Sequence, residues 1–267
     1  MRTTAGAGTA GCVAVLAALL TGCAAPATHP DPQRVAGSAV HPDPQRTATS
    51  GIPSAAPSTA PGVDGEADPD RVFTEADLKA ALPPARAFGE RARETGTSSG
   101  GFDRAYGRGD WSGCAAARDL RAEQFAFRGT SVTRSVSLDP GSEDGEHVTV
   151  TLVSVPTGRA ERYMEIRRQL NKACPDVTVD TDAAPVQEIH RARDLSALGD
   201  EALLEISRWT GSDVGYDDAA PSCIVDVRVG GVLVMVDTGT GSDPDDSVSF
   251  AASVARRVRS ALYRTDG

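Results

Sequence analysis

The hydrophobic pattern begins to organise at Thr74, which is followed by EADLKAAL with acids in the first turn and Pro83-Pro84 as a stop. That arrangement predicts a short helix capped by Thr74. Residues 94–109 are rich in Gly, Ser and Thr and read as a loop. Over 131–138 and 147–155, Val and Leu alternate with polar residues, and DPGSEDGE between them supplies turn chemistry, which predicts a β-hairpin. Thr157–Ala173 sets Ala160, Tyr163, Met164, Arg167, Leu170 and then Cys174 at steps of three and four, the spacing of an amphipathic helix.

Residues 186–192 and 202–209 have strand character, with Leu198-Gly199-Asp200-Glu201 turning the chain between them. The most apolar pair of segments, 223–229 and 232–237, is joined at Gly230-Gly231, a strong two-residue hairpin signal. Residues 245–263 form a closing helix with Val248, Ala251, Ala252, Ala255, Val258 and Leu262 on one stripe. Hairpin, helix, strands, hairpin and helix predict an α+β domain over residues 71–267, with a mainly antiparallel sheet flanked by helices.

The first seventy residues follow a different logic. Arg2 precedes an apolar run from about Gly11 to Leu20. A run of about 10 residues is too short to span a bilayer as a helix, which takes about 20. A charged start, a short apolar run and a small-residue exit describe a secretory signal peptide over residues 1–22. The exit, Leu20-Thr21-Gly22-Cys23, resembles the lipobox of bacterial lipoproteins. That resemblance implies a diacylglyceryl group on Cys23, cleavage just before it, and Cys23 as the first residue of the mature chain. Two or more acyl chains attach a protein stably to a membrane, where one gives only marginal binding.

Between Ala24 and Arg71 there are nine prolines, no aromatic residue, and only Val35, Val40, Ile52 and Val63 as larger aliphatics. Such a segment buries too little apolar area to offset the entropy of ordering it, so residues 23–70 are expected to form a disordered linker. HPDPQR occurs twice within it, at 29–34 and 41–46. The repeat reads as a tandem duplication in a spacer, because Pro-flanked histidines in a loose coil have no preorganised metal geometry. A coil of that length spans about 40 Å end to end.

Charge narrows the function classes further. There are 27 Lys+Arg against 37 Asp+Glu, a formal net charge of −10, and 4% aromatics. That balance excludes a protein that grips nucleic-acid phosphates through a basic face. Asp237-Thr238-Gly239 after an apolar strand matches the loop that carries the catalytic carboxylate of aspartic proteases. Those folds need a further apolar-apolar-Gly strand downstream, and only 28 residues follow Gly239, so the triplet reads as a strand end and turn. His147 and His190 are scattered, and there is no Gly-x-Ser-x-Gly elbow or Gly-rich phosphate loop. Asp243, Asp245 and Asp246 read as helix N-terminal capping rather than a calcium loop. Trp111 and Trp209 read as core or rim residues. No catalytic residue, metal site or cofactor is expected.

The helix at ADLKAAL, the amphipathic helix ending in Cys174, the LGDEAL segment and CIVDVRVGGVLVMV before a terminal helix carry a second resemblance. In that order they are similar to actinobacterial lipoproteins whose outer domain is like the extracellular sensor domain of mycobacterial PknH-type kinases. The resemblance covers about Val72 to Arg264. It implies an antiparallel sheet flanked by helices, a cleft for an unidentified ligand, and no catalysis. Arg is abundant and Lys79 and Lys172 are the only lysines, as a high-GC genome would give.

The mature domain holds Cys114, Cys174 and Cys223, and spacing alone allows three pairings. The resemblance implies Cys114 with Cys174, leaving Cys223 without its family partner and expected as a buried thiol. The expected function is therefore a non-enzymatic ligand-binding or sensor-like lipoprotein on the extracytoplasmic face of the bacterial cell membrane. Its expected partners are the membrane, through lipidated Cys23, and an unidentified envelope ligand or protein through which any signal must pass. The alternative is a lipid or envelope-precursor carrier with an apolar cavity.

Overall fold

A computed structural model describes residues 60–64, 68–102, 111–141, 146–180, 185–211 and 220–263. The signal sequence, Cys23 and the HPDPQR repeats lie outside these residues. Apolar alternation along the strands produces one eight-stranded sheet. Its strands are β2 (Arg93–Phe102), β3 (Gly129–Ser137), β4 (His147–Ser154), β5 (Asp176–Val179), β6 (Val186–Asp194), β8 (Glu201–Thr210), β9 (Ser222–Val229) and β10 (Val232–Thr240). They run antiparallel in the order β2-β3-β4-β10-β9-β8-β6-β5. A separate parallel pair joins β1 (Ala60–Pro61) to β7 (Leu198–Gly199). The α+β architecture expected from the sequence is the one observed.

Helices cover both faces because the central strands are apolar on both. Val225, Val227 and Val229 of β9 and Val232, Val234 and Val236 of β10 point to one face. There they meet α4 (Pro244–Leu262), through Val248, Ala251, Ala255 and Val258, and α1 (Glu75–Ala81), through Leu78 and Ala81. Leu233 and Met235 point to the other face and meet Ala160, Tyr163 and Met164 of α3 (Thr157–Ala173). The short α2 (Arg118–Ala126) lies alongside α3. Period-two alternation thus assigns each side chain of the central hairpin to one of two cores.

Local chemistry sets the ends of these elements. Thr74 and Asp77 form a reciprocal capping box at α1. Asp243 caps α4 by accepting from the Asp245 amide at 2.8 Å, and Pro244 occupies the first turn. Gly230 takes φ +57° in the tight turn between β9 and β10, and a Cβ on Gly231 would lie 2.2 Å from the Val155 carbonyl oxygen.

Two expectations are corrected. The Gly/Ser/Thr-rich stretch expected as a loop contains β2, an edge strand paired along its length with β3. Its side chains from Arg93 to Ser99 are exposed, so no apolar alternation marks it. The fold also begins before Arg71. Ala60 and Val63 are buried in the core, and the Asp64 carboxylate bonds Arg228 at 2.9 and 3.1 Å.

Asp200, expected only in a turn, fastens that N-terminal segment. Its carboxylate accepts from the amides of Val63 at 2.5 Å, Asp64 at 2.6 Å and Gly230 at 2.6 Å. Burial opposes the charge on Arg228, but its bonds to Asp64 and Glu201 hold its pKa above the ordinary value. Asp200→Ala strands the half-buried amides of Val63 and Gly230, gives the Asp64 amide to water, and removes a carboxylate beside Arg228. The expected loss is about 2–3 kcal/mol of unfolding free energy, measured by urea denaturation. A loss under about 1 kcal/mol would show that the segment is not fastened this way.

Candidate functional site

Four stretches distant in sequence converge at the end of the sheet that holds the Gly230-Gly231 turn. They enclose an open groove of about 410 Å³ lined by Val72 and Glu75, by Gly100, by Arg128, Gly129 and Thr130, and by Ser154, Val155, Pro156 and Arg159. That volume falls in the range of small-molecule sites. The groove lies between the first turn of α1, which carries Glu75, and the first turn of α3, which carries Arg159. Gly129 lets the strands approach here, since a Cβ would lie 2.7 Å from methyls of both Val153 and Val155.

The first turn of α3 contains no acidic residue, so the partial positive charge of the helix end adds to that of the arginines. Arg128 is braced by donating to the Phe125 and Phe127 carbonyls at 2.6 and 2.7 Å. The Arg159 guanidinium lies 5.3 Å above the Phe127 ring. The Ser154 hydroxyl is buried and accepts from the Phe73 amide at 2.8 Å. With the Thr130 hydroxyl and apolar walls at Val72 and Val155, the groove suits a ligand that joins an anionic group to an apolar part.

A second polar cluster lies inside the fold, under the C-terminal half of α3. Arg167 is fully buried and donates to Glu205 of β8 through Nε at 2.9 Å and Nη2 at 2.6 Å. Asn171, one turn later, donates to the same carboxylate at 2.9 Å. The Arg167 guanidinium lies 5.0 Å from the Trp111 ring centre, and Trp111 stacks on buried His190 at 4.5 Å. The Trp111 indole donates to the Cys174 carbonyl at 3.3 Å. The space left among these groups is about 10 Å³, room for about one water.

The sequence-derived candidates fall as follows. Cys114 and Cys174 are joined by a disulfide across 60 residues, and Cys223 is a buried free thiol. Trp111 is a core residue and Trp209 is half-buried beside the same cluster. Asp237 ends the regular pairing of β10, and its carboxylate accepts from the Gly239 amide at 2.9 Å in a turn where Gly239 has φ +72°. Thr238 is buried and shares a hydrogen bond with Ser247 of α4 at 2.7 Å, so the triplet is a strand end and turn. His147 is exposed at the start of β4 and His190 is buried at the Trp111 cluster, and the structure does not bring them together. Asp243 and Asp245 act within the α4 cap.

No family model matches the chain, and no curated protein matches it. Among solved structures, the crystal structure of the extracellular domain of PknH from Mycobacterium tuberculosis matches with a TM-score of 0.51 and 14% sequence identity. The match covers 72% of this chain and 99% of that one. The fold is thus that of the PknH extracellular domain, as the order of elements in the sequence implied. Among the described residues, no helix is long and apolar enough to cross a membrane.

The disulfide closes a loop worth about 4 kcal/mol in the chain-entropy picture. The Cys114→Ser, Cys174→Ser double variant should lose about 2–4 kcal/mol in chemical denaturation, and an unchanged midpoint would contradict this. Burial, then the charges of Asp243 and Asp237, push the Cys223 thiol up. Cys223 should therefore resist alkylation at neutral pH in the native protein and react on unfolding. Prompt labelling of the folded chain would contradict its inert placement.

Proposed function

We propose that this protein is a lipoprotein held by Cys23 on the extracytoplasmic face of the bacterial cell membrane, with a non-enzymatic, sensor-like binding domain at the end of a spacer. The observation that carries the reading is the combination of a lipobox, Leu20-Thr21-Gly22-Cys23, with a domain folded like a kinase's extracellular domain. The ligand is engaged at the open groove lined by Arg128 and Arg159, and any signal passes onward through an envelope protein. The anchor and the spacer fix where the domain works, and the groove supplies what it works on.

The carrier alternative has less support. A lipid carrier must shelter an acyl chain in an apolar interior, whereas the space under α3 beside Trp111 is about 10 Å³. The groove at Arg128 and Arg159 is open and flanked by guanidinium groups, and a second open groove of about 540 Å³, beside Pro83, Pro84 and α4, is bordered by Arg256 and Arg257. Both are surfaces suited to recognition rather than to sheltering a hydrocarbon.

Cys23→Ala tests the anchoring directly. The variant should accumulate unprocessed or leave the membrane fraction for the soluble one when cells are fractionated. A processed Cys23→Ala chain that still sediments with membranes would overturn the anchor.

A further inference from the structure

The groove and the point where the chain enters the fold share one end of the sheet. Ala60 pairs with Leu198, the Asp200 amide donates to the Arg228 carbonyl, and Gly230-Gly231 follows Val229 directly. The Gly231 carbonyl accepts from the Val155 amide, and Val155 lines the groove. A spacer that arrives from a membrane therefore reaches the domain at the end that carries the groove.

The chemistry of that end is distinctive. Val72, at 48% exposure, lines the groove, and Phe125, at 52%, belongs to the turn braced by Arg128; these are the large apolar side chains that stand out to solvent among the described residues. Arginine accompanies the aromatic rings nearby: Arg71 lies over Phe73 at 4.6 Å, Arg121 over Phe125 at 5.8 Å and Arg159 over Phe127 at 5.3 Å. Guanidinium groups backed by aromatic rings beside exposed apolar tips suit a membrane interface, where the cations meet phosphate and the apolar groups reach the acyl boundary.

The chain's net charge of −10 does not forbid this. At this end Arg228 engages Asp64, Asp200 and Glu201, and Arg168 engages Glu201 and Asp194. Glu161 also lies within 3.9 Å of Arg228, and Glu75 is the carboxylate on the groove wall. Exposed Asp68 and Asp70 flank Pro69 beside the first turn of α3, so the arginines of the groove act against nearby acids.

We propose that this end of the domain docks on the anionic lipid surface to which the chain is tethered, with a lipid phosphate in the groove between Arg128 and Arg159. Phe125 and Val72 then sit at headgroup level. Tethering to the bilayer holds the domain at about a millimolar effective concentration over it, so a weak headgroup affinity suffices to orient it. The orientation deepens the reading of a tethered binding domain, but the docking is a property of the folded part and is measured without the anchor.

The test is flotation of the mature chain, beginning at position 23 and carrying Cys23→Ala, with vesicles of phosphatidylcholine alone or mixed with phosphatidylglycerol. The expected result is binding to the anionic vesicles only, weakened by salt. Arg128→Glu with Arg159→Glu should reduce it by about tenfold or more, Glu75→Gln should strengthen it, and Arg86→Glu, a charge reversal away from the groove, should leave it nearly unaltered. Circular dichroism of each variant establishes that it is folded. Absence of binding to both vesicles, equal binding to both, or anionic binding that survives the double charge reversal in a folded variant would overturn the proposal. Retention of soluble glycerol phosphate without vesicle binding would overturn the lipid as the source of the phosphate. None of these results bears on acylation, which the fractionation of Cys23→Ala decides.

Discussion

Arg167 and Glu205 meet in the buried layer between α3 and the sheet, and the arrangement of α3 follows from them. The guanidinium projects from the inner face of the helix into the sheet, and both of its bonds to Glu205 require α3 at one height and one rotation. Asn171 reads the same carboxylate one turn further on, which fixes the rotation again. Once the C-terminal half of α3 is placed, Trp111 can lie across the guanidinium and His190 beneath the indole, with the disulfide tying Trp111's segment to the end of the helix. Ten residues earlier on the same helix stands Thr157, about 15 Å away along the axis, at the mouth of the groove. The inner pair thus sets the position of Arg159 without touching it.

A buried ion pair is weak evidence for stability, because desolvating both charges offsets much of their attraction. Its contribution here is to uniqueness. The apolar contacts of α3 with the sheet, Met164 among Leu203, Leu233 and Met235, would tolerate a small rotation or slide of the helix. A bidentate pair does not, since a shifted helix leaves a buried charge without its partner. On the opposite face α4 sets Val248, Ala251, Ala255 and Val258 against the valines of β9 and β10, and it is held further by the Thr238–Ser247 hydrogen bond and by Arg257 donating to the Ala81 and Leu82 carbonyls.

The sequence announced the two hairpins, α1, α3 and α4 because each carries its own periodicity and its own end signals. It placed Arg167 on the buried stripe of α3 by spacing, yet Glu205 lies 38 residues away and reads as an ordinary strand acid. β2 was hidden because an exposed edge strand of Gly, Ser and Thr has no apolar face to display. α2 was hidden because Gln124 is its buried residue, so the helix owes its place to packing against α3 rather than to amphipathicity. The groove was invisible for a topological reason: its walls come from residues 72–75, 100, 128–130 and 154–159, which only the strand order brings together. The same holds for the start of the fold, where Asp64 finds Arg228 across 164 residues.

The claim that Arg167 and Glu205 act as a unit to seat α3 is tested most directly by a double-mutant cycle read by equilibrium denaturation. Arg167→Met alone and Glu205→Leu alone should each cost about 3–5 kcal/mol, because each strands a buried charge. The double variant should be more stable than either single one, with a coupling of about 2 kcal/mol or more. Strictly additive losses, or single variants within about 1 kcal/mol of the parent, would contradict it.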